Sequence, residues 1–184
     1  APTAANLQNS DIYIIVDPDT EKETLKPNFA TAKDAEELYN WVNNGGVLVL
    51  MTNDYTNAEL TKFNTIANRF GIHFNSDMIN AVKGNAYETG AFVIPAKHPI
   101  FKTAKKVYIK EISTLKLSGP AKPAFSSGKN VVMATAKVGK GTVFAVGDPW
   151  FYNEYVDGRK LPAEYQNFEA AKDLVNWLTT QASN

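Results

Sequence analysis

Short runs of apolar residues, each closed by a polar turn, organise the first half of the chain. Asp11-Ile12-Tyr13-Ile14-Ile15-Val16 ends at Asp17-Pro18-Asp19, and Val47-Leu48-Val49-Leu50-Met51 ends at Thr52-Asn53-Asp54. Near-continuous apolar runs of this length read as strands buried on both faces, as in parallel sheets. Between and after them the pattern becomes helical. Helix signals begin at Thr31, Ala35, Leu38 and Val42 share one face, and Gly45-Gly46 ends the segment. Thr56-x-x-Glu59 has the form of a capping box, in which hydroxyl and carboxylate each satisfy an orphan backbone N–H. It opens a second helix with Leu60, Phe63, Ala67 and Phe70 on one stripe, closed by Gly71. Strand–helix–strand–helix order predicts right-handed crossovers and a parallel sheet with helices on both faces.

The stretch from 72 to 128 is less regular. Ile72-His73-Phe74, Met78 to Val82 and Ala91 to Ile94 are short strand candidates, and Pro95, Pro99, Pro120 and Pro123 break the pattern. Val107-Tyr108-Ile109 and Leu115-Lys116-Leu117 alternate, as strands with one wet face do. Val131 to Val138 and Thr142 to Gly147 read as a hairpin turned at Gly139-Lys140-Gly141. Its second arm, Val143-Phe144-Ala145-Val146, is apolar on both faces and is expected inside the sheet. A final helix is predicted from about Asn167, with Phe168, Ala171, Val175 and Leu178 facing inward.

Composition narrows the function classes. At 184 residues the chain is expected to form a single domain with a sizeable core. Lys plus Arg and Asp plus Glu are both 19, so the formal charge is zero. That removes the electrostatic footprint of a nucleic-acid binder or a polybasic membrane-surface protein. The lysines between Lys97 and Lys116 read as a solvated surface. No apolar run approaches the length of a membrane span. With no cysteine, disulfides, thiolate metal sites and a cysteine nucleophile are all impossible. The opening Ala1-Pro2-Thr3-Ala4-Ala5-Asn6 has no signal-peptide pattern and no initiator Met, which suggests a chain processed or cut from something larger.

In an open α/β sheet, ligands bind beyond the carboxyl ends of the strands. Those ends carry Asp17 and Asp19, then Asn53 and Asp54, then Asp148-Pro149-Trp150-Phe151-Tyr152-Asn153-Glu154-Tyr155. Their convergence is the candidate site, although Asp, Asn and Pro after a strand are also ordinary turn chemistry. Asp17-x-Asp19-x-Glu21 lacks the glycine and the distal glutamate of a calcium loop, and His73 and His98 have no zinc spacing, so no metal or cofactor is expected. Of the two histidines, His98, in a loop before Pro99, is the better functional candidate. No phosphate-binding glycine loop or serine elbow is present. The aromatic cluster Trp150, Phe151, Tyr152 and Tyr155 has three readings: its rings stack on sugars beside Asn153 and Glu154, they form an interface with a neighbouring domain, or they plug the end of the sheet.

Gly45-Gly46-Val47-Leu48-Val49-Leu50, His98-Pro99-Ile100 and Lys137-Val138-Gly139-Lys140-Gly141-Thr142-Val143 resemble the class I glutamine amidotransferase-like fold, whose non-catalytic relatives carry a similar hairpin. Together with Asp11 to Thr20, Trp41 to Met51 and Gly147 to Tyr155, they are similar to the C-terminal domain appended to some unsaturated rhamnogalacturonyl hydrolases of Bacteroidetes. The resemblance implies a three-layer, flavodoxin-like α/β domain with a mostly parallel sheet, a C-terminal hairpin and a closing helix. It also implies that one more strand and helix precede Ala1. Thr52-Asn53-Asp54-Tyr55 takes the place of the amidotransferase elbow and offers no thiol. The implied function is a non-catalytic accessory domain of a secreted polysaccharide-degrading enzyme, extracellular or periplasmic. It would dock on the parent catalytic domain or a neighbouring subunit. The alternatives are a carbohydrate-binding module taking oligosaccharide, using Trp150 and Tyr152 with Asp17, Asp54, Asn153 and Glu154, or a hydrolase built on the strand-end carboxylates.

Overall fold

A computed structural model describes residues 2–157 and 159–183. A short helix α1 (Ala4–Leu7) precedes β1 (Ile12–Val16), α2 (Ala32–Asn43), β2 (Val47–Met51) and α3 (Leu60–Ala67). Then come β3 (Ile72–Phe74), β4 (Ala91–Val93), β5 (Lys106–Tyr108), β6 (Leu115–Leu117) and β7 (Ala121–Ser127). The chain finishes with β8 (Asn130–Val138), β9 (Gly141–Val146) and α4 (Asn167–Ala182).

One curled sheet of seven strands runs β1-β2-β9-β8-β6-β3, with β7 also paired to β8, and β4 and β5 form a separate ribbon. Of the three strands read as buried on both faces, β2 and β9 are buried at every position, whereas β1 is half-buried throughout. Alternate residues of β2 separate two cores. Leu48 and Leu50 join Leu38 and Val42 of α2 and Phe63 of α3, while Val47, Val49 and Met51 join Leu174 and Leu178 of α4.

The sheet is mixed rather than mostly parallel. Only β1–β2 and β2–β9 run parallel, whereas β8–β9, β7–β8, β6–β8 and β3–β6 are antiparallel. The expected hairpin is responsible, because β8 returns antiparallel to β9 and everything beyond it follows that direction. Its turn needs Gly139 at φ +56, and a Cβ there would sit 2.3 Å from the Asn43 carbonyl oxygen. Pro120 sits in the turn between β6 and β7, as a breaker should, but Pro123 does not break the chain as expected. Pro123 lies within β7, an outer strand with register shifts on either side of Phe125. A residue without an N–H is tolerated at such an edge or bulge. Met78 to Val82 forms no strand, only a bridge from Ile79 to Ile112.

Helix starts follow cap chemistry. Thr31 and Asp34 form a reciprocal capping box on α2. Thr31→Ala is therefore expected to cost about 1 kcal/mol, read as a lower urea midpoint. Thr56 is not a cap: Glu59 itself accepts from the Lys62 N–H at 2.7 Å, and Thr56 is held in a turn by Asp54. The inward stripe of α4 is Asn167, Ala170, Ala171, Leu174 and Leu178. Phe168 and Val175, expected inside, are 54% and 42% exposed. The helix is rotated because Asn167 is drawn inward, exchanging hydrogen bonds of 2.8 Å with both the N–H and the C=O of Tyr108.

Candidate functional site

The carboxyl ends of β1, β2 and β9 open into a cleft of about 410 Å³, within the usual range for small-ligand sites. Asp17, Asn53, Asp148, Tyr152, Asn153 and Glu154 line it, as the strand-end argument anticipated. Asn57, Lys110, Glu111 and Tyr155 complete the wall. Lys110 and Glu111 were not legible as site residues. They arrive from the loop after β5, in a stretch that reads as solvated surface.

Local backbone explains the placement. Asp17 and Glu111 both have positive φ, 47° and 53°, a conformation rare for residues with side chains. Asn53 anchors the floor: its side-chain oxygen accepts the Asp54 N–H at 2.9 Å, and its side chain hydrogen-bonds Asp17. Asp54 is fully buried and committed to structure, accepting from the Thr56 N–H at 2.8 Å, the Thr56 hydroxyl and the Asn57 amide at 2.7 Å.

Two carboxyls at the base are under-satisfied. Asp17 Oδ1 and Asp148 Oδ1 are buried with no hydrogen-bond donor among the described residues. Burial pushes the Asp148 carboxyl well up, and the neighbouring Asp17 and Glu111 charges add to that; Lys110 and the Trp150 N–H counter it in part. Asp17 is also raised, first by burial and then by surrounding carboxylates, against the Asn53 hydrogen bond. Burial pulls Lys110 down, but Glu111 at 3.0 Å outweighs it and holds the lysine protonated. The cleft therefore presents acceptors and a fixed ammonium, with Tyr152 (54% exposed) and Glu154 on the rim. Glu154 faces Lys160 at 3.6 Å.

Besides Asp54, three sequence candidates fall outside the cleft. Asp19 lies outside the cleft and accepts the Asn28 N–H at 3.3 Å. His98 is buried against Phe101 and Phe125. Its Nδ1 accepts the Ile100 and Phe101 N–H groups at 3.2 and 3.0 Å, which leaves the proton on Nε2 to bond the Ala124 carbonyl at 2.9 Å. That is a structural histidine. Trp150 is 1% exposed and packs edge-on against Phe101, so it plugs the end of the sheet and offers no stacking face. The side chain of Phe151 lies outside the described residues. Among the described residues no group of three or more His, Asp or Glu side chains is arranged to hold a metal ion. No helix among them is long and apolar enough to cross a membrane.

No protein-family model matches this chain, and no curated protein sequence does. Solved structures share its fold. The N-terminal domain of mmIFT52 aligns over 97% of this chain and 81% of its own, at 18% identity and a TM-score of 0.71. The cytoplasmic protein STM1381 from Salmonella typhimurium LT2 covers 98% of this chain and 75% of its own, at 16% identity and a TM-score of 0.65. A cold-adapted β-galactosidase from Rahnella sp. R3 matches 94% of this chain with only 23% of its own, at 16% identity and a TM-score of 0.53. Likeness at these identities concerns the fold. It corrects the expected kinship: the neighbours are these proteins and not glutamine amidotransferase-like accessory domains, and a glycosidase match spans a small part of the glycosidase.

Proposed function

We propose that the chain is a non-catalytic binding domain of a larger protein, and that its cleft holds a neutral polyhydroxylated unit such as one ring of a glycan. One observation carries this reading. The cleft combines carboxyl and amide acceptors, a protonated lysine and the exposed face of Tyr152, but no serine, threonine, cysteine or histidine among its lining residues. Hydroxyl-rich rings use such acceptors, and their C–H faces pack on an aromatic side chain. Occurrence of the same fold as a minor part of a β-galactosidase is in keeping with a role inside a polysaccharide-degrading protein.

The other readings are weaker. Paired carboxylates for hydrolysis must both reach the substrate, whereas Asp54 is fully buried, Asp148 is 5% exposed and Glu154 faces Lys160. Docking through an exposed aromatic segment loses Trp150 to the core.

Charge refines the ligand. Asp17, Glu111 and Glu154 outnumber Lys110, so a uronate is repelled where a neutral sugar is not. Titration of the amide NMR spectrum with lactose, cellobiose and galacturonate is expected to shift Asn153–Tyr155 with the neutral sugars at millimolar concentration, and at least several-fold less with galacturonate. Tyr152→Ala is expected to weaken the neutral-sugar response by roughly tenfold, about 1.4 kcal/mol. A flat response to both neutral sugars, or an equal response to galacturonate, overturns the proposal.

A further inference from the structure

The sheet ends at β1, whose outer side pairs with no strand among the described residues. Its inner side uses the odd positions: the Val47 N–H donates to the Asp11 carbonyl, and the Asp17 N–H donates to the Met51 carbonyl. Alternate residues of a parallel strand turn their backbone groups to opposite sides. The N–H and C=O groups of Ile12, Ile14 and Val16 therefore point outward. Natural edges are blunted by charges, prolines or bulges, and Ile12-Tyr13-Ile14-Ile15-Val16 has none of these.

Both cores run to this edge and stop. Every β1 residue is half-buried, in contrast to β2. Ile12, Ile14 and Val16 lean on the α4 side, and Tyr13 and Ile15 on the α2–α3 side. Beside the strand on the latter side lies a groove of about 390 Å³. Tyr13, Ile15, Phe29 and Phe63 form its apolar lining; the carboxylates of Asp19, Asp34 and Glu59 also line it, against the ammonium of Lys62, which sits 3.4 Å from the centre of the Phe29 ring.

We propose that this edge is a docking site for an extended apolar segment of a partner protein, flanked by lysine or arginine, which adds a strand beside β1. Charge selects that occupant. An antiparallel pairing of two copies about Ile14 would set Asp11 of each against Asp17 of the other and bring two acidic grooves together. A partner with basic flanks meets Asp11 and the groove carboxylates Asp19, Asp34 and Glu59 favourably, while its alternating apolar side chains extend both cores.

Hydrogen exchange of the Ile12, Ile14 and Val16 amides tests this, with the peptide Lys-Val-Thr-Val-Ile-Thr-Lys as probe. In the free protein these amides are expected to exchange much faster than those of Tyr13 and Ile15. Saturating peptide is expected to slow them at least tenfold, and the version with glutamate for both lysines is expected to leave them unchanged. Ile14→Pro removes an outward N–H without touching the β2 ladder and is expected to abolish the response. If that variant does not fold, the peptide pair decides. The proposal is overturned if the three amides are already protected in the free protein, if protection rises with protein concentration alone, if millimolar peptide has no effect, or if both peptides act equally.

Discussion

Replacing Trp150 with alanine is expected to destabilise the domain by about 3–5 kcal/mol. At 1% exposure, packed against Phe101 at a ring distance of 6.3 Å, the indole fills the space where the α4-side core reaches the end of β9. Its loss leaves a cavity that neither Phe101 nor Val146 can close without moving backbone. Tyr152→Ala, two residues away at 54% exposure, is expected to change stability by no more than about 0.5 kcal/mol. Urea unfolding of the two variants makes the comparison direct. A small effect at Trp150 would mean that the indole is available to a ligand or partner after all, and the stacking role would return to it. A large effect assigns stacking to Tyr152 alone.

That contrast marks what the residues reveal and what they conceal. β2 and β9 were legible because a strand buried on both faces has to be apolar throughout, and few other structures require that pattern; β1 carries the same pattern but is half-buried at the sheet edge. The strand ends then located the cleft, and six of its lining residues lay where strand-end logic put them. Depth within a segment was not legible. Trp150 and Tyr152 are both aromatic and nearly adjacent, yet one is core and the other rim, because a 3₁₀ turn at Trp150–Tyr152 swings them apart. The rotation of α4 was hidden for a similar reason. Asn167 looks like a surface residue until the backbone groups of Tyr108 supply its hydrogen bonds, and Phe168 is turned outward as a consequence. Lys110 and Glu111 could not be foreseen, since the left-handed backbone at Glu111 leaves no mark in composition or period.

Asp148→Asn is expected to stabilise the domain at neutral pH, and by a margin that shrinks as the pH falls. In the folded state burial raises the Asp148 carboxyl well above its ordinary value. The folded protein therefore holds that proton more tightly than the unfolded chain. From the unfolded value, near 3.9, up to the raised folded value, the native state binds more protons, and its stability falls as the pH rises. Within that window the loss is about 1.4 kcal/mol per pH unit for this group. The asparagine keeps an oxygen for the Trp150 N–H and has no charge to desolvate. Subtracting the two stability–pH curves removes every other titrating group they share, so the difference should climb from near zero around pH 4 and then level off. Asp17→Asn is expected to give a shallower climb, because its carboxylate is less buried and already accepts a hydrogen bond from Asn53. A flat difference curve for Asp148 would mean that Lys110 reaches it and holds it ionised. The cleft would then carry a buried ion pair, and its carboxylate charge would exceed that of Lys110 by one more than Asp17, Glu111 and Glu154 alone supply.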